Sequence, residues 1–444
     1  MIRTPLLALS LAVPLFVSAQ QSTDAIRLPS GEPLVGCYYF THWWEPWKSD
    51  DSVVLEDFQT LRDMGFNTVF IDHEWSQMID GNWRLLDRGH RLAREKGIVI
   101  LPWLSLKVWS DIGTSPERLQ LIRDMYGVEV APALTADGET RGIRPYDPGA
   151  LAAGTQYVTD YLERYLEHGA VLHVMRNGAA CPAVALSVEL GWEGSCDDTT
   201  KLMFRLWLRA RFADDIQALN QAWGTAIAGF ADIDLCDTSL FDLTAHTTGE
   251  AEFPAAVEDQ VEFRSQVIDT ALAEMKRRLL LRFPNLVIVT EMPYQLAADH
   301  PHAEGYRVLY GCNPSSAYSA DILLLRATDA LSQAEEEALA AYKKRTGQQI
   351  ILTHRTYANW GPDVLEGISP PERFVDIYAD QAGRVAEGFG FYSWNEMVDT
   401  HIAPDPVPAV RGGPQNSEET FRAALRTWHA MARRFIDAKT VAPE

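Results

Sequence analysis

Short, wholly apolar runs take turns along this chain with longer segments whose apolar residues recur every three or four positions. The first kind reads as strands buried on both faces, the second as helices with one buried face. Residues 33–40 form the first such strand, which leaves through an aromatic loop of His42, Trp43, Trp44 and Trp47. Residues 52–64 then space Val54, Leu55, Phe58 and Leu61 as a helix does, and Gly65 ends it. A second strand over 67–71 leaves through Asp72, His73, Glu74 and Trp75, and a helix over 83–96 follows, closed by Gly97. The third strand, 98–101, leaves through Trp103 and Trp109.

A long insertion punctuated by Pro and Gly runs to Pro148, and a helix over 156–168 leads into the fourth strand. That strand lies in Pro182 to Ser195, which reads PAVALSVELGWEGS. Residues 183–188 are apolar apart from Ser187, and the run ends at Glu189, before a loop with Trp192 and Glu193. An acidic residue where a buried strand emerges is either a catalytic carboxyl or a solvated strand end. Helical segments over 201–220 and 261–283 precede a fifth strand, 286–290, ending in Glu291 and Tyr294. The sixth strand is 321–325, followed by a helix over 333–345. The seventh, 349–353, leaves through His354, Arg355 and Trp360, and a helix over 372–387 comes after it. The eighth, 389–393, leaves through Trp394, Asn395 and Glu396, and a helix over 418–436 closes the pattern.

Strand–helix alternation of this kind, with Gly at helix ends, predicts an α/β fold, a (β/α)8 TIM barrel. It would be a single catalytic domain over 33–437 with long loop insertions, preceded by a polar lead over 20–32 and followed by a tail over 438–444. Residues 1–19 read as a secretory signal peptide: Arg3, an apolar core, and small residues for cleavage after Ala19. The expectation is export to the periplasm or beyond, with no membrane insertion, since no later run reaches spanning length.

The formal net charge of −22 argues against nucleic acid, which needs a basic footprint. Of the five cysteines, Cys37, Cys181, Cys196, Cys236 and Cys312, an odd number cannot all pair within one chain. One or two disulfides are permitted, and none is demanded by spacing. No metal motif, nucleophile elbow or phosphate-cradling loop is present, so neither metal nor cofactor is expected. Oligomeric state is not readable.

Of thirteen Trp residues, Trp43, Trp44, Trp47, Trp75, Trp103, Trp109, Trp192, Trp360 and Trp394 follow expected strands. Catalytic residues of such barrels sit at that end. Indoles there offer apolar faces to sugar rings and an N–H to hydroxyls, so a carbohydrate substrate is expected.

Three segments carry a resemblance. They are Leu61-Arg62-Asp63-Met64-Gly65-Phe66-Asn67-Thr68-Val69, then Leu86-Asp87-Arg88 through Gly97 to Leu101, and Phe204 to Leu208 with Asp215 to Thr225. Together they resemble the β-galactosidases of glycoside hydrolase family 42, a retaining family of (β/α)8 barrels. The resemblance implies Glu189 as acid/base at the end of strand four. The family has Asn directly before it, where this chain has Val188. Its nucleophilic Glu belongs on strand seven, where this chain has Thr353-His354-Arg355. The family's later domains have no counterpart here, which leaves no ground for expecting its trimer.

Glycoside hydrolysis needs two carboxyls, about 5–5.5 Å apart for retention and roughly 6.5–9.5 Å for inversion. With Glu189 as the acid, Glu396 is the first choice of partner, because strand eight lies opposite strand four and Glu396 shares strand parity with Trp394. Glu291, on the strand beside, is the next choice. Candidate substrate-binding residues are Trp43, Trp44, Asp72, Glu74, Trp103, Trp192, Glu193, Tyr294, His354, Arg355, Trp360, Trp394 and Asn395. The expected function is a secreted glycoside hydrolase. The alternatives are an inverting hydrolase and a barrel that binds carbohydrate without cleaving it.

Overall fold

Every residue of strand β1 (Val35–Tyr39) is buried, as is every residue of β9 (Ile322–Ala327). Strands covered on both faces have no solvent side to mark with polar residues, which is why they read as unbroken apolar runs. The computed structural model describes residues 25–41, 44–74, 83–106, 116–188, 190–191, 194–236, 254–292, 311, 313–327, 330–355, 371–395 and 418–440.

Eight strands form a closed parallel ring. In order these are β1, β2 (Thr68–Glu74), β3 (Val99–Leu106), β7 (Ala179–Val188), β8 (Val287–Met292), β9, β10 (Gln349–Arg355) and β11 (Gly388–Tyr392). The ring shuts where Cys37 of β1 lies level with Val69 of β2 on one side and Phe391 of β11 on the other. The fold is a (β/α)8 barrel.

Alternation along the strands separates two apolar layers. Tyr38, Phe70, Trp103, Ala185, Val289, Leu324 and Ile351 belong to one, the interior of the ring. Cys37, Val69, Leu186, Ile288, Leu323, Leu352 and Phe391 belong to the other, packed against the helices. Those helices are α1 (Glu45–Ser49), α2 (Asp51–Asp63), α3 (Trp83–Lys96), α4 (Pro116–Tyr126), α5 (Pro148–Tyr165), α6 (Asp198–Arg211), α7 (Ile216–Trp223), α8 (Ala255–Leu280), α9 (Gln333–Thr346), α10 (Pro371–Val385) and α11 (Glu418–Thr440). Ile26 and Leu28, with Val174 and Cys181 of the β6 (His173–Arg176)–β7 hairpin, join the interior cluster and plug the amino-terminal end. Gly36 makes room inside, because a Cβ there would lie 2.4 Å from the Phe70 ring.

Three expectations change. The insertion after strand three holds α4 and a hairpin of β4 (Pro132–Leu134) and β5 (Thr140–Ile143). The helix expected from 156 begins at Pro148, where Asp147 accepts hydrogen bonds from the amides of Gly149 and Ala150. The helix expected over 201–220 is two helices, broken at Ala213 and Asp214 with φ of 51° and 61°.

In the outer layer, α2 buries Asp57, whose carboxylate accepts from the Tyr39 hydroxyl at 2.7 Å. Burial pushes this carboxyl up to about 7, against the opposing pull of Tyr39 and the Trp394 indole. The native state therefore holds the proton more tightly than the unfolded chain, and stability falls as pH rises from about 4 to about 7. The loss reaches about 4 kcal/mol at most. Asp57→Asn removes that slope. Urea unfolding should show the variant gaining on the wild type across this window, with the difference level above it. A difference independent of pH would contradict the assignment.

Candidate active site

Toward the carboxyl end of the barrel the interior stops being apolar. On β8 the inward positions run Val287, Val289, then Glu291, and on β9 they run Ile322, Leu324, then Arg326. The Glu291 side chain is 5% exposed and that of Arg326 is 10% exposed. The Tyr38 hydroxyl donates to Glu291 Oε1 at 2.6 Å, and Arg326 Nε lies 3.8 Å from the same oxygen. The Arg326 guanidinium sits 4.5 Å over the Tyr392 ring. Burial, then the charge of Glu291, raises the Tyr38 phenol well above its ordinary value, so it stays a protonated donor.

β1 and β8 are four places apart in a ring of eight, so this hydrogen bond crosses the barrel. Tyr38 can span it because its ring is wedged between Phe70, Trp103 and Tyr392, with centroids 5.4, 5.5 and 4.9 Å away. Carboxylate, guanidinium and phenol thus converge above an aromatic floor. Such a set can orient one carboxylate oxygen while meeting a polar ligand from the mouth.

The sequence candidates fall into three groups. Glu189, Glu396, Trp43, Trp192, Glu193, Tyr294 and Trp360 lie outside the described residues. Asp72 and Glu74 sit on β2, level with Trp103 and Ser105 of β3, and Arg355 ends β10 level with Tyr392. The side chains of Asp72, Glu74 and Arg355 are outside the described set. The third group is placed in full, and Glu291 and Trp103 are the members that line the interior.

The other four of that group lie as follows. His354 alternates to the outer face, its ring 4.1 Å from Tyr378 of α10. Trp44 and Trp394 are 4% and 1% exposed in the helical layer, beside Tyr39 and Asp57 respectively. Asn395 is fully buried, and its Oδ1 accepts from the Phe40 amide at 2.6 Å, tying the exits of β11 and β1 together. Indoles that follow strands therefore pack under helices as readily as they face a cavity. The sequence reading missed Tyr38 and Arg326. For Arg326 a signal existed, a lone cation ending the run Ile322 to Leu325, the same mark that singled out Glu291.

The exit of β7 is held from beneath. Fully buried Arg264 of α8 donates from Nε to Ser195 Oγ at 2.9 Å and from Nη2 to the Leu235 carbonyl at 3.3 Å. Burial lowers its guanidinium to about 9. Cys196 and Cys236, the residues next to those acceptors, form a disulfide. Cys37 and Cys181 are free and buried, and Cys312 lies outside the described residues. Among the described residues no group of three or more His, Cys, Asp or Glu is placed to hold a metal ion. Among them too, no helix is long and apolar enough to cross a membrane.

No protein-family model matches the chain, and no curated protein matches it. Solved structures do. The catalytic domain of a β-amylase from Paenibacillus polymyxa aligns over 82% of this chain and 93% of its own, at 11% identity and a TM-score of 0.54. A catalytic mutant of the GH42 β-galactosidase Gan42B from G. stearothermophilus aligns over 95% of this chain and 59% of its own, at 16% identity and 0.59. A β-galactosidase from Bacillus circulans sp. alkalophilus aligns over 89% and 55%, at 14% identity and 0.54. The chain thus spans little more than half of those two β-galactosidases. The fold is a (β/α)8 barrel like those of glycoside hydrolases.

The disulfide closes a separation of 40 residues. Chain entropy puts its contribution at about 4 kcal/mol. Cys196→Ser with Cys236→Ser should lower unfolding stability by about 2–5 kcal/mol in urea titrations. An unchanged midpoint would contradict this.

Proposed function

We propose that this protein is an exported glycoside hydrolase that cleaves O-glycosidic bonds with two carboxyl groups, Glu189 as general acid/base and Glu291 as its partner. The observation that carries the reading is Glu291 itself, a nearly buried carboxylate inside the barrel near its carboxyl end. It stands on the strand beside the one that Glu189 follows. β7 and β8 pair with Ala185 level with Val289, so the same register sets Ser187 level with Glu291. Glu189 comes two residues after Ser187 in the sequence. Neighbouring strands lie roughly 4.8 Å apart and two residues add about 6.6 Å along the strand, an offset that two Glu side chains can close to the roughly 5–5.5 Å used for retention.

In this reading Glu189 protonates the leaving oxygen while Glu291 attacks the anomeric carbon, giving a glycosyl ester. Glu189 then takes a proton from water, which releases the sugar with retained configuration. Glu291 is taken here as partner in place of Glu396, because Glu291 is seated among interior donors. Trp103 supplies an aromatic wall. The disulfide is consistent with an oxidising compartment and supports export.

A barrel that binds sugar without cleaving it is the second reading. It is favoured by β10, which ends Thr353-His354-Arg355 with no carboxylate.

A panel of aryl glycosides separates the two. Glu189→Gln and Glu291→Gln should each lower kcat by roughly 10²–10⁴-fold. Glu291→Ala with azide should yield a glycosyl azide of inverted configuration, and Glu189→Ala one of retained configuration. Sugar binding with no turnover across the panel would establish the second reading instead.

A further inference from the structure

We propose that Tyr38 is the positioning residue for the second carboxylate, holding Glu291 Oε1 from across the barrel. The inference rests on the reading of Glu291 given above and deepens it. Tyr38 is 1% exposed, so a ligand does not reach it, and its influence must pass through the group it bonds. Its ring is fixed by Phe70, Trp103 and Tyr392, on three different strands, so the hydroxyl has one place to be. That place is 2.6 Å from Oε1, with Arg326 of β9 as the cation on the same oxygen.

A carboxylate at the end of a short side chain on one strand is free to turn about its χ angles. A donor from the opposite strand removes that freedom. It also fixes which carboxylate oxygen is left to face a ligand, which is what an attacking carboxylate needs. With no carboxylate closing β10, the reading above draws the pair of acids from adjacent strands, where orientation decides which carboxylate meets the anomeric carbon.

Tyr38→Phe keeps every ring contact and removes only the donor. With the aryl glycoside that the wild type turns over fastest, kcat should fall about 10- to 100-fold, with KM within threefold. The loss should therefore appear in kcat and not in KM. A merely structural tyrosine would lower Tm and leave the kcat of the folded enzyme where it was. Glu291→Gln is measured alongside. If Glu291→Gln is inactive while Tyr38→Phe matches the wild type in kcat, the positioning role is overturned and the carboxylate reading stands. If Glu291→Gln retains wild-type turnover, or no glycoside is cleaved by the wild type, the carboxylate reading falls and the positioning role falls with it.

Discussion

The contact around which the polar end of the barrel interior is organised is a hydrogen bond that crosses the ring, from the Tyr38 phenol to Glu291 Oε1. A closed ring of eight strands fills its own centre with side chains, so polar groups inside it must satisfy one another. Here the amino-terminal end is stoppered by Ile26, Leu28, Val174 and Cys181. The charged pair Glu291 and Arg326 is thereby confined to the other end, beneath the mouth. A carboxylate there has few ways to be stabilised, and Tyr38 with Arg326 provides two on one oxygen. Between the two ends, Phe70, Trp103 and Tyr392 pack around the Tyr38 ring and keep it in reach.

The layer outside the strands does a different job with similar residues. Asp57 receives Tyr39 and borders Trp394, while Asn395 takes the Phe40 amide. These contacts bind the exits of the first and eighth barrel strands to each other and to α2. Arg264 and the Cys196–Cys236 bond do the same for the exit of β7. Both fixtures are buried polar groups at the roots of loops. That is where a barrel must be stiff if its loops are to hold a ligand in a set geometry.

Much of the fold is legible in the sequence because burial on both faces leaves an unmistakable mark. The runs ending at Val188 and Leu325 need no neighbours to be read as strands. Charged residues closing such runs, Glu291 above all, are legible for the same reason. The face on which a strand residue lies is harder, since it depends on where ring closure sets the alternation. His354 and Thr353 exchange faces with a shift of one residue. Trp394 and Trp44 are as apolar as Trp103, and sequence position after a strand does not distinguish a helical layer from a cavity. Tyr38 was hidden among the apolar residues of β1, its role set by a partner 253 residues away. The break at Ala213 and Asp214 left only the capping residue Asp215 as its trace.

Covalent trapping tests the role of Glu291 most directly. The protein is incubated with activated 2-deoxy-2-fluoro glycosides, digested, and its peptides analysed by mass spectrometry. A fluoroglycosyl ester on Glu291 is the result the geometry predicts. An ester on Glu396 instead, or none under conditions where the glycoside is bound, would contradict it.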